Sequence, residues 1–175
     1  LVTPLQIAIL LSQVANGGTR YQPDVVSRVD NPDGTPAEIF GPKNLGVLPV
    51  PKNIMDLIRE GLRDVTSEGG TAGELFKGFP VAVAGKTGTA ENAHGRDHGW
   101  FVAYAPYDKP QIVVVALVEQ GGFGAGSAGP IVRDILSAYF KVHTSSSKTT
   151  DIKTTDTKTT TNKKETQEIK PSVKE

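Results

Sequence analysis

Lys86, Thr87, Gly88 and Thr89 stand side by side within VAVAGKTGTAEN, residues 81–92, and two kinds of chemistry use such a cluster. An ammonium flanked by hydroxyls can hold a carboxylate, the lysine supplying charge and the threonines donating hydrogen bonds to its oxygens. A glycine in the same strand lets a ligand backbone lie close. Gly85-Lys86-Thr87 also spells the last three letters of a phosphate-binding loop. That loop needs a glycine five positions before the Gly-Lys pair, so that successive backbone N–H groups wrap the phosphates. Pro80 occupies that position and has no N–H to offer. Val81 to Ala84 are apolar and partly β-branched, which reads as strand, and Gly88-Thr89-Ala90-Glu91-Asn92 does not open a regular helix. Lys86 is therefore expected at a strand end, not at the mouth of a phosphate-binding helix.

Two other groupings invite chemistry. Ala125-Gly126-Ser127-Ala128-Gly129 nearly matches the Gly-x-Ser-x-Gly nucleophile elbow, but that elbow turns directly off its strand, and here Gln120 to Gly126 intervene. Ser127 is expected to cap a helix instead. His94 and His98 are four apart with Glu91 and Asp97 nearby, a spacing that pairs imidazoles only on a helix. Gly95 and Gly99 argue against that helix, so no metal site is expected, with His98 packing at a strand entrance and His94 in a loop. Trp100, Phe101 and Tyr104 read as core or cleft wall.

The elements that must position these residues can be read in order. Thr3-Pro4-Leu5-Gln6 has a capping residue, a proline at the first helical position and a glutamine able to return the capping-box bond. Leu5 to Ala15 is apolar almost all round, so this helix is expected to be buried on most sides until Asn16-Gly17-Gly18 ends it. Asp24 to Val29 reads as a short edge strand and Asn31-Pro32-Asp33-Gly34 as a turn. A second helix is expected from Pro51 to about Ser67, with Ile54, Leu57, Ile58, Leu62 and Val65 on one stripe. Three strands follow, Val81–Thr87, Gly99–Tyr104 and Gln111–Val118, the last two joined as a hairpin. Ser127 to about Phe140 closes as a helix with Ile131, Ile135, Leu136 and Tyr139 inward. The fold class is α/β layering: an antiparallel sheet with helices against it.

Composition narrows the partners. Of the 175 residues, 19 are Lys or Arg and 19 Asp or Glu, so no positive surplus drives nucleic-acid binding. No apolar run approaches the roughly 18 residues needed to span a membrane. With no cysteine, disulfides and zinc–thiolate sites are excluded. Opening on Leu1-Val2-Thr3-Pro4 without an initiator methionine, the chain reads as a processed product or a fragment. Residues 1–143 are expected to form the folded portion. Residues 144–175 repeat Lys-Thr-Thr-Asp-x around Lys148, Lys153, Lys158 and Lys163, hold almost nothing apolar, and are expected to be a disordered tail. Acids interleaved with those lysines argue against an anionic polymer as its target.

Six blocks in order resemble the C-terminal part of the penicillin-binding transpeptidase domain, in particular the class B, penicillin-binding protein 2-like peptidoglycan D,D-transpeptidases. They are Val2-Thr3-Pro4-Leu5-Gln6, Ala15-Asn16-Gly17-Gly18, Gly69-Gly70-Thr71-Ala72, Ala84-Gly85-Lys86-Thr87-Gly88-Thr89-Ala90, His98 to Pro106, and the glycine-rich turn before Pro130. The resemblance implies a β-lactamase/transpeptidase-like fold, C-terminal portion only, and an extracytoplasmic location. It implies no cofactor. It also implies that Lys86, Thr87, Gly88 and Thr89 bind the carboxylate of a peptidoglycan stem peptide or of a β-lactam, and that the Thr89 backbone N–H is an oxyanion-hole donor. The family attacks with the serine of Ser-x-x-Lys and uses a Ser-x-Asn triplet, both upstream of Lys-Thr-Gly. No Ser-x-Asn occurs here, and the one Ser-x-x-Lys, Ser145 to Lys148, lies downstream in the tail. This chain is thus expected to hold the substrate-recognition half of the site and to need an upstream half for its nucleophile. A serine β-lactamase, a β-lactam sensor domain and a non-catalytic binding module share the same tripeptide and stay as alternatives.

Overall fold

The computed structural model describes residues 1–142, so the tail assigned to 144–175 lies outside the described residues. The elements run α1 (Pro4–Ala15), β1 (Thr19–Tyr21), β2 (Arg28–Asp30), β3 (Pro36–Ile39), β4 (Asn44–Val47), α2 (Lys52–Asp64), α3 (Gly73–Phe76), β5 (Ala84–Ala90), β6 (His98–Ala105), β7 (Ile112–Val118) and α4 (Gly124–Tyr139).

Local chemistry sets α1. Thr3 accepts the Gln6 N–H at 3.2 Å and the Gln6 side chain accepts the Thr3 N–H at 2.8 Å, the reciprocal pair the sequence calls for. Asn16 ends the helix by accepting the N–H groups of Gly18 and Thr19, while Gly17 and Gly18 take φ of 85° and 117°. The expectation of burial on most sides does not hold. Leu11 and Ala15 are buried against Ala84 and Tyr104 of the sheet, whereas Leu5 and Leu10 are more than half exposed. A helix laid on one sheet face covers only the stripe that touches it.

Between α1 and α2 the chain forms two small antiparallel ribbons, β1 with β4 and β2 with β3. The single strand expected over 24–29 is instead Arg28–Asp30, paired across the Asn31–Gly34 turn with Pro36–Ile39. β1 and β4, at three and four residues, are too short to leave a periodic signal.

The main sheet has the order β5-β6-β7, antiparallel throughout. Its two faces follow from alternation along each strand. Phe101, Ala103 and Ala105 of β6 enter the cluster that includes Ala128, Val132 and Leu136 of α4. Tyr104 meets α1 on the other face, where Val102 also lies. The inward side of α4 is therefore Ala128, Val132 and Leu136, not Ile131, Ile135 and Tyr139, which are 44%, 42% and 49% exposed. Small residues decide this: Gly124, Ala128 and Gly129 are buried and bring the helix backbone onto the sheet. In α2 likewise, Met55 is buried while Ile54, Leu57 and Ile58 are exposed; Leu62 and Val65 are half-buried. Arg59 braces α2 to the sheet, donating to the Tyr107 carbonyl at 2.8 Å and to the Tyr104 hydroxyl at 3.4 Å. Buried Thr66 donates to the Val83 carbonyl, which also accepts from Arg63 at 3.1 Å, so the chain is tied to α2 just before β5 begins.

Candidate functional site

β5 is an edge strand, with β6 on one side and no strand of the described residues on the other. It runs on to Ala90, so Lys86-Thr87-Gly88 lies within the strand rather than at the expected end. The strand continues because every residue from Ala84 to Ala90 finds a partner on β6, from Tyr104 to His98.

Alternation divides the cluster. Lys86 and Gly88 pair with Val102 and Trp100 and share the α1 face, while Thr87 and Thr89 pair with Phe101 and Gly99 and share the α4 face. A ligand lying along the free edge of β5 is the one that meets side chains from both faces together with the strand's own N–H and C=O groups. Lys86 is exposed, and its ammonium donates to the Thr87 carbonyl at 2.9 Å. Thr89 is exposed, and Thr87 and Gly88 are half-buried. On the α1 face a shallow groove of ≈ 180 Å³ is bounded by Val2 and Ile7 on one side and by Lys86, Gly88, Trp100 and Val102 on the other.

The glycines have an internal reason as well. A Cβ on Gly85 would stand 2.6 Å from the Val102 carbonyl oxygen, and one on Gly88 3.0 Å from the Trp100 Cβ. Phe101 and Tyr104 are fully buried and Trp100 forms the groove wall, the core and cleft-wall roles expected of these aromatic residues. Ile7 as part of the facing wall had no sequence signal of its own, since apolar residues of α1 read simply as core.

Ser127 is not the helix cap: α4 begins at Gly124, and Ser127 lies in its first turn with its hydroxyl donating to the Phe123 carbonyl at 3.1 Å. Ser12 and Ser137 likewise donate to carbonyls of their own helices, those of Ile9 and Arg133, and Ser67, just beyond α2, donates to that of Arg63. Ser27 sits in the exposed ribbon region. None of the five described serines stands beside a base, which is what nucleophilic attack requires. His98 opens β6 and its Nδ1 accepts the Gln120 N–H at 3.0 Å, while His94 lies in the β5–β6 loop. The two imidazoles thus belong to different local structures.

Comparison with known proteins identifies the family that has this fold. A family model described as the penicillin binding protein transpeptidase domain matches residues 1–137. Peptidoglycan D,D-transpeptidase MrdA of Haemophilus influenzae is 30% identical over 154 residues, spanning 78% of this chain and 23% of that protein. The D,D-transpeptidase domain of a peptidoglycan glycosyltransferase from Eggerthella lenta superposes with a TM-score of 0.68 at 31% identity, over 81% of this chain and 33% of that one. Penicillin-binding protein A from M. tuberculosis, solved as an imipenem acyl-enzyme complex, superposes with a TM-score of 0.66 at 30% identity, over 79% of this chain and 31% of that one. The chain thus spans about a quarter of the curated relative's length and a third of each solved chain. Its antiparallel sheet and flanking helices have the fold of these transpeptidase domains, and the chain belongs to the penicillin-binding protein transpeptidase domain family.

Proposed function

We propose that residues 1–143 are the substrate-recognition portion of a peptidoglycan D,D-transpeptidase, acting at an extracytoplasmic site on the carboxylate-terminated stem peptide that β-lactams imitate. Residues 144–175 are a separate lysine- and threonine-rich tail. The observation that carries this reading is the free edge of β5, with Lys86 on one face and Thr87 and Thr89 on the other. A stem peptide pairs along that edge. Its terminal carboxylate draws on the Lys86 charge and the Thr87 and Thr89 hydroxyls. The Thr89 N–H donates to the oxygen that gains charge when the scissile carbonyl becomes tetrahedral. The attacking serine and its base come from the upstream part of the domain. Serine oxygen bonds to the penultimate carbonyl carbon, the terminal D-alanine leaves with the proton, and an amine of a second stem then displaces the serine.

The test has two arms. Incubated with labelled penicillin, the 175-residue chain alone should acquire no covalent adduct by mass spectrometry. Joined to the upstream part of its domain, it should be acylated once, on an upstream serine. A stoichiometric adduct on Ser12, Ser27, Ser67, Ser127 or Ser137 contradicts the division of labour. Failure of the joined protein to acylate leaves the non-catalytic binding module as the correct reading. Rapid release of hydrolysed drug from it identifies a β-lactamase.

A further inference from the structure

His98 and Asp97, where β6 begins, together hold the turn between β7 and α4. The Gln120 N–H donates to His98 Nδ1 at 3.0 Å, and the Gly122 N–H donates to the Asp97 carbonyl at 2.8 Å. A ring nitrogen that accepts carries no proton, so this hydrogen bond requires an imidazole with its hydrogen on Nε2 alone. Gln120 is held at φ 54°, a left-handed conformation that a residue with a side chain adopts only under constraint. The β5–β6 loop rests on the same turn: a Cβ on Gly95 would stand 2.9 Å from the Gln120 Oε1, and one on Gly122 3.0 Å from the Arg96 guanidinium. Two residues beyond Gly122 comes Gly124, pressed on the carbonyls of Trp100 and Gly88.

We infer that His98 is an acid-sensitive latch on the rim of the β5 edge. Protonation turns Nδ1 into a donor facing the Gln120 N–H donor. The turn then loses its acceptor, Gln120 is free to leave its strained conformation, and the β5–β6 loop and the seat of α4 on Trp100 and Gly88 loosen together. Histidine is the side chain whose ordinary titration falls between about pH 5 and 8. The titratable and charged groups on the segments that meet at this turn are Asp97 beside His98, Glu91 after its cross-strand partner Ala90, His94 and Arg96 in the β5–β6 loop, the latter over Gly122, and Glu119 beside Gln120; α4 carries none before Arg133. The importance of this rim as a ligand edge rests on the proposed function, but the latch is read from the chain's own signals.

The full 175-residue chain, 15N-labelled, is titrated from pH 8 to pH 5, following the His98 ring nitrogens, the Gln120 amide and the fluorescence of Trp100, the chain's one tryptophan. At pH 8 the ring should show the Nε2–H tautomer. On acidification the Gln120 amide and Trp100 should move with the same midpoint as the ring. His98→Asn, which keeps a neutral acceptor, should abolish the Gln120 and Trp100 transitions, and His94→Ala and His143→Ala should retain them. An Nδ1–H tautomer at pH 8 overturns the latch, as does a ring that titrates while Gln120 and Trp100 stay still, or a transition that persists in His98→Asn. If His98→Asn does not fold, the tautomer and the shared midpoint in the unaltered chain decide the matter. None of these readouts requires a ligand, so loss of the carboxylate assignment and loss of the latch are distinguishable.

Discussion

Gly124, the first residue of α4, lies so close to Trp100 that a Cβ added to it would stand 2.0 Å from the Trp100 carbonyl oxygen and 2.5 Å from that of Gly88. Both contacts are backbone, which cannot swing aside. Gly124→Ala should therefore cost about 1–3 kcal/mol or more by forcing the helix away from the sheet. Gly126, two residues further on, has nothing within 4 Å of such a Cβ. Gly126→Ala should be neutral or stabilise by up to about 1 kcal/mol, since glycine is the poorer helix residue. Chemical denaturation of the two variants compares them directly; equal effects would mean that the α4 seat on β5 and β6 is not tight.

Lys86 makes one hydrogen bond, to the carbonyl of its neighbour, and is exposed. Its removal should leave folding stability within about 0.5 kcal/mol of the parent. In the joined protein the same Lys86→Ala change should slow penicillin acylation by on the order of 10²-fold. Stopped-flow acylation with a reporter β-lactam checks this, and near-normal rates would remove Lys86 from the carboxylate site.

Tyr104 is fully buried, and burial raises its phenol above the ordinary value of about 10, with the Arg59 guanidinium opposing part of that rise. A group that holds its proton more tightly when folded contributes stability that is present below the unfolded value and is lost as pH rises through the folded one. Unfolding free energy should fall above about pH 10, where the unfolded tyrosine ionises first. Tyr104→Phe should lose less stability over that interval than the parent. Parallel slopes for the two proteins from pH 9 to pH 11.5 would show that the phenol does not control alkaline unfolding.

Leu5, Leu10 and Leu57 are 57%, 53% and 63% exposed, and Ile54 and Ile58 add to the same kind of surface on α2. Apolar faces of this kind are covered in a stable protein, and each uncovered large side chain forgoes about 1.5–3 kcal/mol. The isolated chain should self-associate at micromolar concentration, seen as a rising average mass in sedimentation velocity, and Leu57→Glu should reduce that mass. A monomer with a sharp cooperative melt above about 65 °C, the upper range of ordinary mesophile domains, would show that these faces need no cover.

Short-range chemistry was legible in the residues alone. The Thr3–Gln6 box acts across three positions, Asn16-Gly17-Gly18 ends α1 through its own backbone angles, and runs of apolar, aromatic and β-branched residues mark β5, β6 and β7 within a few residues of their observed bounds. The six ordered blocks likewise pointed to the family that the comparisons then showed. What the sequence left open is which stripe of each helix meets the sheet. Periodicity marks apolar positions on α2 and α4, but contact geometry selected Met55 over Leu57, and Ala128 and Val132, beside the expected Leu136, over Ile131, Ile135 and Tyr139. Small residues permit the backbone approach that larger ones forbid, and hydropathy does not register this. The pairing of β1 with β4 and the bond from Gln120 to His98 join residues far apart in the chain, so neither has a local pattern to read. The strand was legible as a strand. Alternation alone turns Lys86 and Thr87 to opposite faces, but which of them shares the face of α1 was decided by the register of β5 against β6, and only the partner strand fixes which edge of β5 remains free among the described residues.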